Sequence, residues 1–413
     1  MQTQLADFIR GTRAGNEAES ILRACVHCGF CNATCPTYQL LGDELDGPRG
    51  RIYLIKQMLE GEPVTGSTQL HLDRCLTCRA CETTCPSGVR YGRLVDIGRE
   101  VLGEKVQRGF FDRVQRATLR FILTRPLLFD PLLKLGQLAR PVLPRTLARK
   151  VPARAKPTAW PRTLRDRTML LLDGCVQPSL APNIDAAAAR VLDRLGITLL
   201  RVPQARCCGA IAHHLDDEPG GRNFARRNID AWTPYIGRGA EAVVSTASGC
   251  GAHIREYGHL LADDPVYAES ATRIAALSRD ISEVVLAERE NLAALLHAAP
   301  PGHPETVAFH SPCTLQHGLK IRGVVEDLLI ACGFSLSHVS DGHLCCGSAG
   351  TYSLLQPELS QRLLANKIAA LEAGRPRQIV TANIGCLLQL RSAASRPVRH
   401  WIELLDERLN EQT

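Results

Sequence analysis

Eight cysteines constrain the first quarter of this chain more than any other feature. Cys25, Cys28, Cys31 and Cys35, followed by Pro36, recur at a constant interval as Cys75, Cys78, Cys81 and Cys85, followed by Pro86. Three cysteines at successive i, i+3 positions let one short irregular turn point three thiolates at a single compact centre. That geometry suits a four-iron cubane better than a lone tetrahedral ion. A zinc site usually draws two ligands from each of two separated knuckles, and paired zinc sites are the alternative reading of the octet. The fourth cysteine of each run is turned away from the other three, because the proline behind it blocks helical continuation.

In two-cluster bacterial ferredoxins with this spacing, the fourth thiolate ligates the other cluster. On that pattern Cys25, Cys28, Cys31 and Cys85 would hold one 4Fe-4S cluster, and Cys75, Cys78, Cys81 and Cys35 the second. Residues 1–104 are expected to form this two-cluster ferredoxin-like domain. Helical periodicity runs through SILRACVHCG, GRIYLIKQMLEG and VRYGRLVDIGREVLG, so the domain should be mostly helical.

The 413 residues allow two or three domains, and 45% hydrophobic with 22% charged content is ordinary for a folded soluble chain. Seventeen cysteines, and a start (MQTQLADFIRGTRAG) without an apolar core and small-residue cleavage site, point to a reducing, cytoplasmic setting. No apolar run reaches the roughly 18 residues that a membrane-spanning helix needs. The net charge of +7 is concentrated, since Lys105 to Lys156 carries thirteen Lys and Arg against two Asp. This basic block is interleaved with Phe110, Phe111, Phe121 and RPLLFDPLLKLGQLARPVLPR, which suits an anionic membrane surface or an acidic partner subunit. Nucleic acid is not expected, because no recognised binding signature accompanies the charge. Residues 105–165 therefore read as a connector, in which Pro126, Pro131, Pro141, Pro144 and Pro152 forbid one long helix.

The rest of the chain repeats itself. Cys175, the pair Cys207 and Cys208, and Cys250 recur as Cys313, the pair Cys345 and Cys346, and Cys386. In both copies an apolar strand leads into the first cysteine, a second strand precedes Cys-Cys-Gly, and a third precedes the last cysteine. Strand alternating with amphipathic helix gives two α/β lobes with parallel sheets, 166–300 and 301–413. The fold class is thus α+β for the whole chain and α/β within the lobes. Cysteines at strand ends sit where open α/β sheets place ligands, so each lobe is a candidate for a further metal or iron-sulfur site, or for thiol chemistry. Buried small hydrophobes are the plain alternative, and the expected role of the unrepeated Cys332. His213, His214, His310 and His317 lie near these cysteines as candidate ligands or quinone-pocket residues, or as ordinary core and surface histidines.

These motifs resemble a known family. CVHCGFCNATCP, DGPRGRIYLIKQMLEG, CLTCRACETTCPSGVRYGRLVDIGR, CCGAIAHHL with ARRNIDAW, CCGSAG with PELSQRLLANK, and the closing HWIELLDERL together look like the iron-sulfur subunit of bacterial glycolate oxidase. The resemblance implies a complex peripheral to the inner face of the cell membrane, in which partner flavoprotein subunits oxidise glycolate to glyoxylate. This subunit would take electrons from their FAD toward a quinone. Related glycerol 3-phosphate and lactate dehydrogenase complexes use similar subunits. The absence of a G-x-G-x-x-G strand-turn-helix fingerprint agrees that the flavin lies on another chain. The repeats also resemble the cysteine-rich CCG domains of heterodisulfide reductase, which would make the lobes themselves thiol or disulfide catalysts. There the lobe ends in Cys-x-x-Cys, whereas Ala247 and Asn383 stand at the earlier position here, so each lobe lacks one thiolate of that set.

Overall fold

The computed structural model describes residues 1–142, 151–297 and 305–410. Pro144 and the expected lobe boundary at 300/301 lie outside the described residues. In the N-terminal region the helices Arg13–Ala24, Pro48–Leu59 and Tyr91–Lys105 turn Ile21, Leu22, Ile55, Leu59, Leu94 and Leu102 into one core. Gly98 permits the close approach of the last two, since a Cβ there would stand 2.8 Å from the Ile55 side chain.

A charged spine crosses this region. Arg51 and Asp46 are almost fully buried. Asp46 accepts hydrogen bonds from Arg51 at 3.4 Å, His71 at 3.0 Å and Arg74 at 2.8 Å, and Arg51 also donates to the His71 carbonyl at 2.7 Å. Burial opposes the Arg51 charge, and Cys75, Tyr91, Cys35 and Asp46 around it more than offset that cost.

Among the described residues the connector holds two α-helices, Phe110–Leu123 and Pro126–Ala139, separated where Pro126 takes the first helical position. Pro131 lies inside the second helix and does not end it; the missing N–H removes one backbone bond without breaking the exposed helix. Arg108 and Arg116 pin the connector to the body through Asp73 and Asp216, and both also pair with Asp112 of the connector itself. Arg120 donates to the Leu215 carbonyl at 2.6 Å.

Each lobe is a four-stranded, all-parallel sheet. In the first, β1 (Arg167–Leu171), β2 (Ile197–Arg201), β3 (Val243–Ser245) and β4 (Ser278–Asp280) run in the order β2-β1-β3-β4. In the second, β5 (Thr306–His310), β6 (Ser335–Leu336), β7 (Gln378–Thr381) and β8 (Val398–His400) run in the equivalent order β6-β5-β7-β8. Strand alternation explains why the first sheet is covered on both faces. Leu170 and Val243 face a core built on Trp232, while Met169, Leu171 and Val244 face a core shared with the second lobe.

The lobes are locked together by Arg190, which grips Asp406 of the C-terminal helix Trp401–Asn410, and by His400 Nε2 donating to the Thr246 carbonyl at 3.0 Å. The N-terminal region lies across both. It reaches the first lobe through Arg79–Glu256 and Arg13–Asp263, and the second through Tyr352 to the Arg74 carbonyl and Arg362 to the Leu40 carbonyl.

The charged spine yields a prediction. Asp46→Ala would strand a buried Arg51 cation, at a cost of about 3–5 kcal/mol, so the chain should unfold at markedly lower denaturant or temperature. Circular dichroism melts of the full chain check this, with Asp43→Ala as the exposed control.

Candidate metal centres

The first two cysteines of each run sit on a non-helical turn that begins at the end of a helix, and the third lies on the short helical stretch that follows. The turns need left-handed backbone at His27 and Gly29 in the first run and at Thr77 and Arg79 in the second. Each turn is closed by a short helical stretch, Phe30–Thr34 or Ala80–Thr84, and the fourth cysteine caps that stretch in extended conformation before its proline.

The two runs cross. One cleft, with about 430 Å³ of empty space, is lined by Cys25, Cys28, Cys31 and Cys85. A second, of about 300 Å³, is lined by Cys35, Cys75, Cys78 and Cys81. Cys81, Pro48 and Tyr91 line both, so the clefts share a wall. Burial and the neighbouring thiols, Cys25 first, push Cys31 up to about 11. Cys81 is raised by burial and by Cys78, Cys75 and Cys35. Such crowded thiols shed their protons only to a cation, which is what a ligand set for iron requires. The residues therefore fit the clusters their spacing suggests.

The surroundings of the two sets differ. Cys28 is exposed, and Val26, Phe30 and Tyr53 are exposed around it. The second set is interior: the Thr77 N–H donates to Cys75 Sγ at 3.4 Å, the Tyr91 hydroxyl to the same sulfur at 3.6 Å, and Cys35 Sγ meets the Thr37 hydroxyl at 3.3 Å. Hydrogen bonds to sulfur and burial are the levers by which a protein sets a cluster's potential.

In the lobes the cysteines gather at the C-terminal ends of the strands, beside the point where strand order reverses. In the first lobe the thiols form a chain of contacts from Cys175 to Cys207, Cys208 and Cys250. In the second the chain runs Cys313, Cys345, Cys346, Cys386. It also continues outward, because Cys313 meets Cys78 of the second cleft. Leu76, Tyr352, Leu359 and Leu363 pack around this junction.

The lobes are not chemically equal. Beside the second set stand His310, grouped with Cys346 and Cys386, and the buried Lys367. His310 Nδ1 pairs with the Thr381 hydroxyl at 3.0 Å, its Nε2 has no partner among the described residues, and burial, then Lys367, push it down to about 3. Asn383, where a thiolate of the fuller set was expected, donates to Cys386 Sγ at 3.5 Å and accepts from the Gly249 N–H of the other lobe at 3.3 Å. Cys332 is a core residue of the second lobe. His317 is a brace, with Nδ1 on the Thr83 hydroxyl and Nε2 on the His343 carbonyl, both at 3.0 Å. His213 and His214 lie in the first lobe beside Asp96 of the N-terminal region and His253, two residues that no motif singled out.

Comparison with known proteins agrees with this architecture. Residues 21–89 match the 4Fe-4S dicluster domain, and residues 169–255 and 307–391 each match the cysteine-rich domain. A hypothetical protein from Helicobacter pylori has a crystal structure of the same fold, with a TM-score of 0.56 over 97% of this chain and 73% of that one at 10% identity. These matches define an iron-sulfur protein that joins a dicluster domain to two cysteine-rich domains. Among curated relatives, the glycolate oxidase iron-sulfur subunit of Escherichia coli is 53% identical over 100% of both chains. The probable glycolate oxidase iron-sulfur subunit of Bacillus subtilis is 31% identical over 92% of this chain and 90% of its own. Lactate utilization protein A of Bacillus velezensis is 27% identical over 57% of this chain and 97% of its own. The chain belongs to the family of glycolate oxidase iron-sulfur subunits.

The Cys-Cys-Gly turns carry their own prediction. Gly209 and Gly347 have φ of +95° and +84°, and a Cβ would stand 2.8 Å from the Gly221 carbonyl oxygen and 2.5 Å from that of Ser360. Gly347→Ala should therefore destabilise the second lobe by about 1–3 kcal/mol, read as a lower thermal midpoint, with Gly333→Ala in open space losing only its backbone preference.

Proposed function

We propose that this chain is the electron-transfer subunit of a glycolate oxidase complex. Partner flavoprotein subunits would oxidise glycolate to glyoxylate on FAD, releasing two electrons, and this chain would conduct them toward a quinone. The observation that carries the reading is the continuous thiol path. It begins at a surface cleft, passes through the wall that Cys81 shares, and reaches the second lobe at the Cys78–Cys313 contact.

Two 4Fe-4S clusters, held by Cys25, Cys28, Cys31 and Cys85 and by Cys35, Cys75, Cys78 and Cys81, would supply one-electron carriage between a two-electron donor and acceptor. The chain's own residues do the rest. Val26, Phe30 and Tyr53 around exposed Cys28 form an apolar patch suited to a flavoprotein partner. Tyr91, Thr77 and Arg51 set the electrostatics of the inner centre. The Cys78–Cys313 contact and the buried Lys367 beside the second lobe's thiols make that lobe the favoured continuation of the route.

The connector supports a peripheral membrane location on the cytoplasmic side. Phe110, Phe111, Phe121, Leu127, Leu135 and Leu138 are exposed along its two helices within the basic block. No helix of the described residues is long and apolar enough to cross a membrane. Because Arg116 and Arg120 are engaged by the body, the free contribution to lipid comes from the apolar row and from exposed Arg113. The match to lactate utilization protein A keeps a lactate dehydrogenase complex as the second reading, since substrate choice would rest with the flavoprotein.

Two outcomes test this. Anaerobically prepared chain should carry about eight irons and eight sulfides, with Cys85→Ser abolishing the paramagnetic signal that Cys25→Ser abolishes and Cys35→Ser the one lost in Cys75→Ser; pairing by sequence run instead would overturn the crossed ligation. Phe111→Asp with Leu135→Asp should move the native complex from anionic lipid vesicles to the supernatant in flotation assays, while its glycolate-to-dye turnover in detergent persists.

A further inference from the structure

A cluster of imidazoles lies at the seam between the N-terminal region and the first lobe, apart from the cysteines. Ligand atoms of Asp96, His213 and His214 lie within 4.8 Å of one another. Asp96 comes from the helix Tyr91–Lys105, and the two histidines from Ala210–His214, directly behind the first Cys-Cys-Gly turn. His253, from the helix Ser248–Arg255 that also carries Cys250, packs its ring beside both histidines but lies outside that set of close ligand atoms.

The rings of His213 and His214 are spaced as ligands of one ion, with His253 slightly further out. Imidazoles bound tetrahedrally to a common ion with metal-nitrogen distances near 2.0 Å have ring centres about 5 Å apart. The observed separations are 5.3 Å for His213–His214, 5.6 Å for His213–His253 and 6.2 Å for His214–His253. His213 Nε2 is 4.0 Å from Asp96 Oδ2, too long for a hydrogen bond. Two buried nitrogens in the group, His213 Nδ1 and His253 Nε2, have no hydrogen-bond partner among the described residues, and His253 is only 7% exposed. Unpartnered buried imidazole nitrogens are costly in a purely structural cluster. The nearest competing cation is Arg93, 3.6 Å from Asp96 and also paired with Glu17.

We propose that Asp96, His213 and His214, with His253 at their edge, form a binding site for one divalent ion of the zinc class. Imidazole and carboxylate donors suit that class, and the absence of thiolate sets the site apart from the iron centres. His214 is exposed, so the site is reachable from solvent. An ion held there would tie the Asp96 helix to both helices that flank the first lobe's cysteines, fixing the cluster-bearing region against that lobe.

The probe is zinc, added to the full chain with its iron centres intact and followed by metal analysis, calorimetry and zinc-edge absorption. We expect one zinc per chain beyond the iron, a first shell of nitrogen and oxygen at about 2.0 Å with no sulfur at about 2.3 Å, and at least about tenfold weaker binding in His214→Ala and Asp96→Asn. Because His214 is exposed, its replacement spares the core, and unchanged iron and sulfide content verifies this. Failure of the chain to take up zinc, a sulfur-containing shell, or unreduced affinity in either variant would overturn the site.

Discussion

The crossing of two cysteine runs is the constraint on which the rest of this structure depends. Each run can aim only three thiolates at one point before its proline turns the fourth away, so neither cleft gathers four cysteines without the other run. Helix Pro48–Leu59 and helix Tyr91–Lys105 must then hold the two turns face to face. The buried Arg51–Asp46 pair between them fixes that spacing, while Gly98 lets the helix backbones close to contact. Two centres sharing the wall at Cys81 follow from a local rule about backbone geometry.

The lobes use a different device for a related end. Parallel strands deliver cysteines from three separate loops to one edge of a sheet, and the glycine after each cysteine pair lets the chain turn beneath the following helix. The repeat gives both lobes the same scaffold, yet His310, Lys367 and Asn383 have no equivalents in the first lobe, and the histidine cluster at Asp96 has none in the second. The direct meeting of Cys78 with Cys313 gives the inner centre a neighbour in one lobe only.

Much of this was legible beforehand. Cysteine spacing announced the dicluster domain, the offset of the second set of motifs announced the repeat, and strand-helix alternation announced the parallel sheets. Pro126 marked the break in the connector, whereas Pro131 misled, since an exposed helix tolerates one missing N–H. The histidines near the cysteines could be named but not sorted: His317 is a satisfied brace, His310 joins a thiol set, and His213 and His214 meet partners more than a hundred residues or only a few dozen away.

By itself, the sequence determined which atoms could bind metal and which backbone turns would present them, because ligand spacing and glycine or proline requirements act within a few residues. Only the tertiary structure decided that Cys313 touches Cys78, that Asn383 occupies the absent thiolate's place, and that Asp96 joins His253. Those pairings arise from how apolar faces of helices and sheets pack across domains, and periodicity identifies such faces without saying which face meets which.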